Sequence, residues 1–324
     1  MKNILTLIAI ATLTSSCSWA QPELFPTKPW IATLKIVDES DKPVAGANAE
    51  AGYIIMPPPG AQNWGKFGKQ GGKIEGLTDT NGLFTATHTD RSPSLGFQVQ
   101  KAGYYKIFSG YEMGFPEQNG NRNISMTLTL RKIGDPIAMY AKRQEMKLQK
   151  EDEPMGFDLM AGDWVTPLGK GFHTDMFFTA HRKIISERKY DGALTVTFPN
   201  KGDGLVVAPP EAADGSEFKT SRTAAESGYQ PELDLHYSNT NQPQSVFGYF
   251  IRVRTELNQD GKIQSAYYGK VPGNFMFFAG TKAPKAGMAF TYYLNPTANE
   301  RNVEFDPKRN LIRDLNPLEE VKEP

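Results

Sequence analysis

Between residues 31 and 133, short runs of alternating apolar and polar side chains are separated by clusters of Gly, Pro, Asn and Asp. The runs read IATLKIV, NAEAGYII, IEGLTDTNGLFTATH, SLGFQVQKAGYYKI and NISMTLTL. Successive side chains of an extended strand point to opposite faces. In the last run Ile124, Met126, Leu128 and Leu130 therefore share one face, and Ser125, Thr127 and Thr129 the other. Such strands, each buried on one side and separated by turns, predict a small antiparallel sandwich. From Met155 to about Leu315 the pattern recurs: GALTVTFPN, SVFGYFIRVRTELNQDGKIQSAYYGKV and MAFTYYLNP are strand-like, with NQDGK as a hairpin turn. No long helical period interrupts either half. The expected fold class is all-β, a β-sandwich followed by a second β-sandwich or barrel-like domain.

The cluster Asp79-Thr80-Asn81-Gly82 could be a metal loop or a turn. With Gly82 at the sixth position of a calcium loop, Leu77 takes the first place and His88 the twelfth. Both are places where a strong acidic ligand is required. Asn and Gly tolerate positive φ, and Asp accepts hydrogen bonds from backbone amides two residues on, so a hairpin turn is the expectation.

Three motifs follow in order: TLKIVDESDKPVAGANAEAG, GLTDTNGLFTA and FQVQKAGYYK. Together they resemble the carboxypeptidase regulatory-like, or transthyretin-like, domain over residues 28 to 133, about a third of the chain. The resemblance implies a seven-stranded prealbumin-like sandwich that serves as an accessory module and brings no catalytic residues. The segment from Pro57 to Lys73 is longer than such domains usually carry. Further on, GFDLMAGDWVTPLGKGFHTDMFF, FIRVRTELNQDGKIQSAYYGKV and YYLNPTANERNVEFDPKRNL resemble the C-terminal part of exported bacterial proteins with the same N-terminal module, a likeness that implies no activity.

The N-terminus places Lys2 before an apolar run from Ile4 to Leu13 and then TSSCSWAQ, the order of a secretory signal peptide over residues 1–20. Ser18-Trp19-Ala20 suits cleavage before Gln21, giving a periplasmic or extracellular protein. Cys17 followed by Ser18 offers the alternative of an outer-membrane lipoprotein, but Thr14 stands where a branched or Leu residue is usual. No stretch reaches the ~20 apolar residues of a membrane-spanning helix. Cys17 is the only cysteine, so no disulfide staples the chain and apolar burial must stabilise it. Basic and acidic residues balance at 36 each, which gives no long-range pull on nucleic acid. Residues 134–154 are rich in Lys and Glu and end in Pro; they read as a charged linker with room for a short amphipathic helix. A second β-rich domain over residues 155–315 and a flexible tail at 316–324 complete the expected organisation.

Candidate chemistry is sparse. His173 and Asp175 share a face of an extended FHTDMFFTAH, but His181 would stand about 27 Å from His173, too far for one metal ion. No metal site is expected. No Gly-x-Ser-x-Gly elbow, dinucleotide fingerprint or phosphate loop occurs, so no cofactor is expected. Asp158 and Asp163 beside Trp164 could form an acid/base pair against a sugar platform, and Asp175 could join them. Trp64 and Phe67 stand among Gly and Pro in MPPPGAQNWGKFGKQGGK, where aromatics can stack on a ligand. Arg252 and Arg254 share a face of GYFIRVRTE, and Lys262 and Lys270 could extend a basic stripe suited to carboxylates. The expected function is a non-catalytic exported envelope protein that binds a polysaccharide or an envelope protein partner. The alternatives are a glycan hydrolase using carboxylates of the second domain, or a structural subunit of an envelope assembly.

Overall fold

The computed structural model describes residues 27–55, 70–118, 120–209, 215–282 and 285–324. The leader with Cys17 and the pair Trp64 and Phe67 lie outside the described residues. Within them the chain is all-β, with nineteen strands, no α-helix and one 3-10 turn at Pro116–Gln118.

In the N-terminal sandwich, β1 (Lys28–Asp38) is the centre of a three-stranded sheet, antiparallel to β4 (Leu83–Asp90) and parallel to β7 (Asn123–Leu130). A four-stranded antiparallel sheet packs on it in the order β3 (Gln70–Leu77), β2 (Asn48–Ile55), β5 (Ser94–Gln100) and β6 (Ile107–Glu112). Trp30, Ala32, Leu34 and Ile36 point inward at every second position of β1 and meet Ala49, Ala51, Phe97 and Val99 from the other sheet. Ile124, Leu128 and Leu130 of β7 are buried and Met126 packs against the same core, as the alternation of NISMTLTL requires. The parallel β1–β7 pair departs from a wholly antiparallel sandwich. Parallel neighbours need a long crossover, and here the whole second sheet lies between the two strands in sequence. At the Asp79 turn, the carboxylate accepts the amides of Asn81 and Leu83, both at 2.8 Å. Gly82 there has φ +75, and a Cβ on it would come within 2.3 Å of the Ile36 carbonyl oxygen.

The second half packs two larger sheets. One runs in the order β10 (Asp163–Trp164), β9 (Met155–Asp158), β11 (Met176–Ser186), β12 (Lys189–Thr197) and β14 (Glu232–Ser238). The other runs β13 (Gly204–Val207), β15 (Gly248–Leu257), β16 (Ile263–Pro272), β18 (Gly287–Leu294), β8 (Ile137–Lys147) and β19 (Phe305–Asn310), with β17 (Met276–Phe278) beside β18. Phe157, Trp164, Phe178, Phe275, Phe290 and Tyr292 fill the space between the sheets with edge-to-face and tilted rings. Each such buried aromatic contributes about 1.5–3 kcal/mol by leaving water. The outer face of the second sheet is covered as well, by Phe250, Tyr268, Tyr293, Val303, Phe305 and Val321. A sheet buried on both faces reads as continuous apolar runs such as GYFIRV rather than as alternation.

Two expectations change. Residues 134–154 hold no simple linker, because Ile137–Lys147 forms β8, paired with β18 from Tyr140 to Lys147 and with β19 through Ile137 and Met139. Its charges are accommodated by partners far along the chain: Lys142 donates to the Gly162 carbonyl at 2.9 Å and pairs with Glu319 at 2.9 Å. The tail at 316–324 is docked. Glu319 accepts the Arg143 amide, the Tyr293 hydroxyl donates to the Glu323 carbonyl, and Val321 is buried.

The two halves are joined by a buried polar and aromatic contact. The Glu304 carboxylate, 1% exposed, accepts the Tyr105 hydroxyl at 2.6 Å and the amides of Gly134 and Asp135 at 2.8 and 3.1 Å. Arg131 donates to the carbonyls of Phe218 and Thr220 at 2.8 and 2.7 Å, and its guanidinium lies 4.7 Å from the Phe218 ring centre. Tyr105 stacks on the same ring at 5.1 Å. Arg222 reaches back to Glu39 and to the Lys132 carbonyl. Beside this contact the backbone of residues 215–217 continues the first domain's sheet beyond β6, through Phe108 N–H to Gly215 O and Glu217 N–H to Lys106 O. Gly215 has φ +79 and lies so close to Phe108 that no Cβ fits.

Replacing Glu304 by Ala strands the Tyr105 hydroxyl and two amides and leaves Arg222 with Glu39 alone of its two carboxylates. Removing one partner of a buried ionic network costs about 3–5 kcal/mol. Calorimetry is expected to show the unfolding of Glu304→Ala split into two transitions, one for each half. A single transition at the wild-type temperature would show that the joint adds no stability.

Candidate functional site

The fold gathers the carboxylates singled out in the sequence. Asp158 ends β9, opposite Asp163 of β10, and Asp175 immediately precedes β11. The residue that ties them together is Arg254 of β15, from the facing sheet. Its Nε donates to Asp175 Oδ1 at 2.7 Å, and one terminal nitrogen donates to Asp175 Oδ2 at 3.0 Å and to Asp158 Oδ1 at 2.9 Å. The register of β15 against β16 breaks between Val253 and Glu256, and Arg254 has φ +54. A bulge re-aims a side chain out of the ladder. The left-handed backbone costs about 1–2 kcal/mol for a residue with a Cβ, and Asp203 holds it by accepting the Arg254 and Thr255 amides at 3.1 and 2.8 Å.

Every oxygen of this cluster is engaged. Asp158 Oδ1 also accepts the amides of Met160 and Ala161, and Oδ2 those of Phe172 and His173, all near 3.1 Å. Asp175 Oδ2 accepts the Leu159 amide at 2.8 Å. Asp163 takes the amides of Trp164 and Lys170. Burial would raise the Asp158 carboxyl, but the amides of Ala161, His173 and Phe172 and the Arg254 charge outweigh it and hold it below the ordinary carboxylate value. For the fully buried Asp175 the balance tips the other way, and burial pushes it up against the pull of Arg254. Burial opposes the Arg254 cation, yet its bonds to Asp175 and the charge of Asp158 raise it above the ordinary arginine value.

The remaining candidates scatter. His173 Nε2 stands 3.8 Å from Asp175 Oδ1 with its side chain half exposed, while His181 pairs with Asp152 at 2.6 Å on the surface. Trp164 is a core residue, packed edge-on against Phe157 and Phe178, and presents no platform to a sugar. Arg252 and Arg254 form no open basic stripe. Arg252 donates to the Gly202 carbonyl at 2.7 Å and lies 4.4 Å from the Tyr229 ring centre, and Arg254 turns into the acid cluster. Lys262 is exposed on the hairpin, whereas Lys270 is buried.

No family model matches the chain, and no curated protein matches it. Among solved structures it is similar to the major pilin SpaD from Corynebacterium diphtheriae at 9% identity, over 82% of this chain and 66% of that one, with a TM-score of 0.25. The shaft pilin SpaA from Lactobacillus rhamnosus GG is 12% identical over 59% of this chain and 95% of its own, with a TM-score of 0.23. A 3-chlorocatechol 1,2-dioxygenase from Rhodococcus opacus 1CP is 15% identical over 32% of this chain, with a TM-score of 0.23. The chain spans 60% of that enzyme's length and 58% of a hydroxyquinol 1,2-dioxygenase from Pseudomonas putida DLL-E4. At such identities and scores, nothing those proteins do transfers to this chain.

Arg254→Met leaves Asp158 and Asp175 buried side by side with no cation. Stability at pH 7 is expected to fall by about 3–5 kcal/mol in urea titrations. The deficit should shrink toward pH 4, because the stranded carboxyls bind protons more readily folded than unfolded. In the native protein the sign for Asp158 is opposite. Its folded value lies below the unfolded one near 3.8, so its contribution is complete above that pH and is lost as the pH falls through the folded value. Asp158→Asn should therefore make the acid limb of the stability curve shallower.

Proposed function

We propose that this chain is a structural subunit of an exported assembly, a rigid spacer made of a transthyretin-like module fused to a second β-sandwich. The observation that carries this reading is the buried joint, in which Glu304, Tyr105, Arg131 and Phe218 lock the two halves through hydrogen bonds and stacked rings rather than through a free linker. Such a contact fixes the direction of one sandwich against the other, which a load-bearing or length-defining element needs and a tethered binding module does not. The acid cluster supports the same reading. A glycosidase requires two carboxyls facing a sugar across open space, ~5–9.5 Å apart. Asp158 and Asp175 instead bind a single guanidinium, and their oxygens are taken by amides. Export rests on the leader-like N-terminus, and no helix among the described residues is long and apolar enough to cross a membrane.

Cross-linking on intact cells of the native host tests the proposal, with the purified chain assayed in parallel for release of reducing ends from a panel of polysaccharides. A structural subunit is expected to appear in a reproducible high-mass ladder and to release no product. Product formation that is lost in a folded Asp158→Asn, Asp175→Asn double variant would establish the hydrolase instead. Retention on a polysaccharide, with the chain always monomeric in cells, would favour the glycan-binding alternative.

A further inference from the structure

Lys270 lies in the interior of β16, 3% exposed, on the sheet face that also carries Tyr293 and Phe250. Its ammonium sits 4.5 Å from the centre of the Phe218 ring and 4.6 Å from that of Tyr293. Among the described residues it forms no hydrogen bond or ion pair. A buried ammonium without an acceptor is an anomaly, since buried charges are normally paired. Aromatic faces supply part of the missing stabilisation, but they offer no oxygen. Burial accordingly pushes the Lys270 ammonium down to about 7, with Glu304 pulling it up and Arg131 pushing it further down.

The same side chain lines a pocket of about 360 Å³ where the first domain meets the second. Phe108 from β6, Pro272 and Tyr293 give that pocket apolar walls, and Ser216 and Thr220 contribute to its lining. Lys219, Glu217, Glu323 and Pro324 line it too, so the opening carries carboxylates as well as cations. A dianion entering it meets two carboxylates with one desolvated cation to receive it. A single negative charge on a compact apolar body matches the lining, the hydrocarbon lying on Phe108 and Pro272.

We propose that this inter-domain pocket binds a small monocarboxylate, whose oxygens supply the acceptor that Lys270 lacks. The site is independent of the structural reading above.

The test is calorimetry with butyrate and benzoate on the full chain at pH 8, in two buffers of different ionisation enthalpy, with inorganic phosphate and sulfate as dianion controls. An anion beside Lys270 favours the ammonium, so binding is expected to take up close to one proton per site at pH 8 and almost none at pH 6. Lys270→Met, which keeps the length and removes the charge, should weaken binding at least tenfold. In the wild-type protein, NMR of lysine labelled with ¹³C at Cε gives a readout that needs no variant: saturating benzoate should raise the Lys270 midpoint by about 2–3 pH units. An unmoved midpoint, unchanged binding in Lys270→Met, or tighter binding of phosphate than of either carboxylate would each overturn the proposal.

Discussion

The structure turns on a single phenyl ring. Phe218 receives Tyr105 on one side and the Arg131 guanidinium at 4.7 Å, and Lys270 and Arg222 approach it at 4.5 and 5.9 Å. Three cations converge there; Glu39 pairs with Arg131 and Arg222, and Glu304 with Arg222. Among the described residues, Lys270 meets the faces of Phe218 and Tyr293 and no carboxylate. The rigid joint and the amine that lines the neighbouring pocket thus meet at one place, where cations from both halves share the faces of one aromatic side chain.

Arg254 shows the opposite balance. Two carboxylates and a ring of amides surround one guanidinium, and the backbone is held in a left-handed conformation by Asp203 so that the guanidinium can reach them. Fully paired, such a cluster orders the β9–β11 region against the facing sheet. Buried charges specify structure where they are matched and signal a missing partner where they are not.

Local pattern revealed what local physics decides. The inward face of NISMTLTL and the Asp79 turn were legible because a strand's period and a turn's hydrogen bonds involve neighbours in sequence. The strand at Ile137–Lys147 was not, since its Lys, Arg and Glu residues resemble a solvated linker until Glu319 and Gly162 are brought to Lys142. The carboxylates at 158, 163 and 175 stood out as a group, but Arg254, 79 residues beyond Asp175, belonged by spacing to a different stripe. One signal was available for Lys270: it occupies the same face as Ala266 and Tyr268 in SAYYGKV, two places on from an aromatic, where a lysine breaks an otherwise apolar row.

The position of β8 bears on how the chain acquires its structure. The strands of the first sandwich are all present once Leu130 has emerged, and β1 closes onto β7 from within that stretch. β8 follows immediately, yet its antiparallel neighbour begins at Gly287 and its parallel one at Phe305. A chain delivered N-terminus first therefore completes one domain early and then carries an unpaired, partly apolar strand through the synthesis of some 150 further residues. Long-range pairing of this kind is slow and exposes sticky edges. The Lys, Arg and Glu side chains of β8 have a second consequence in this setting: they keep the waiting strand soluble until its partners arrive.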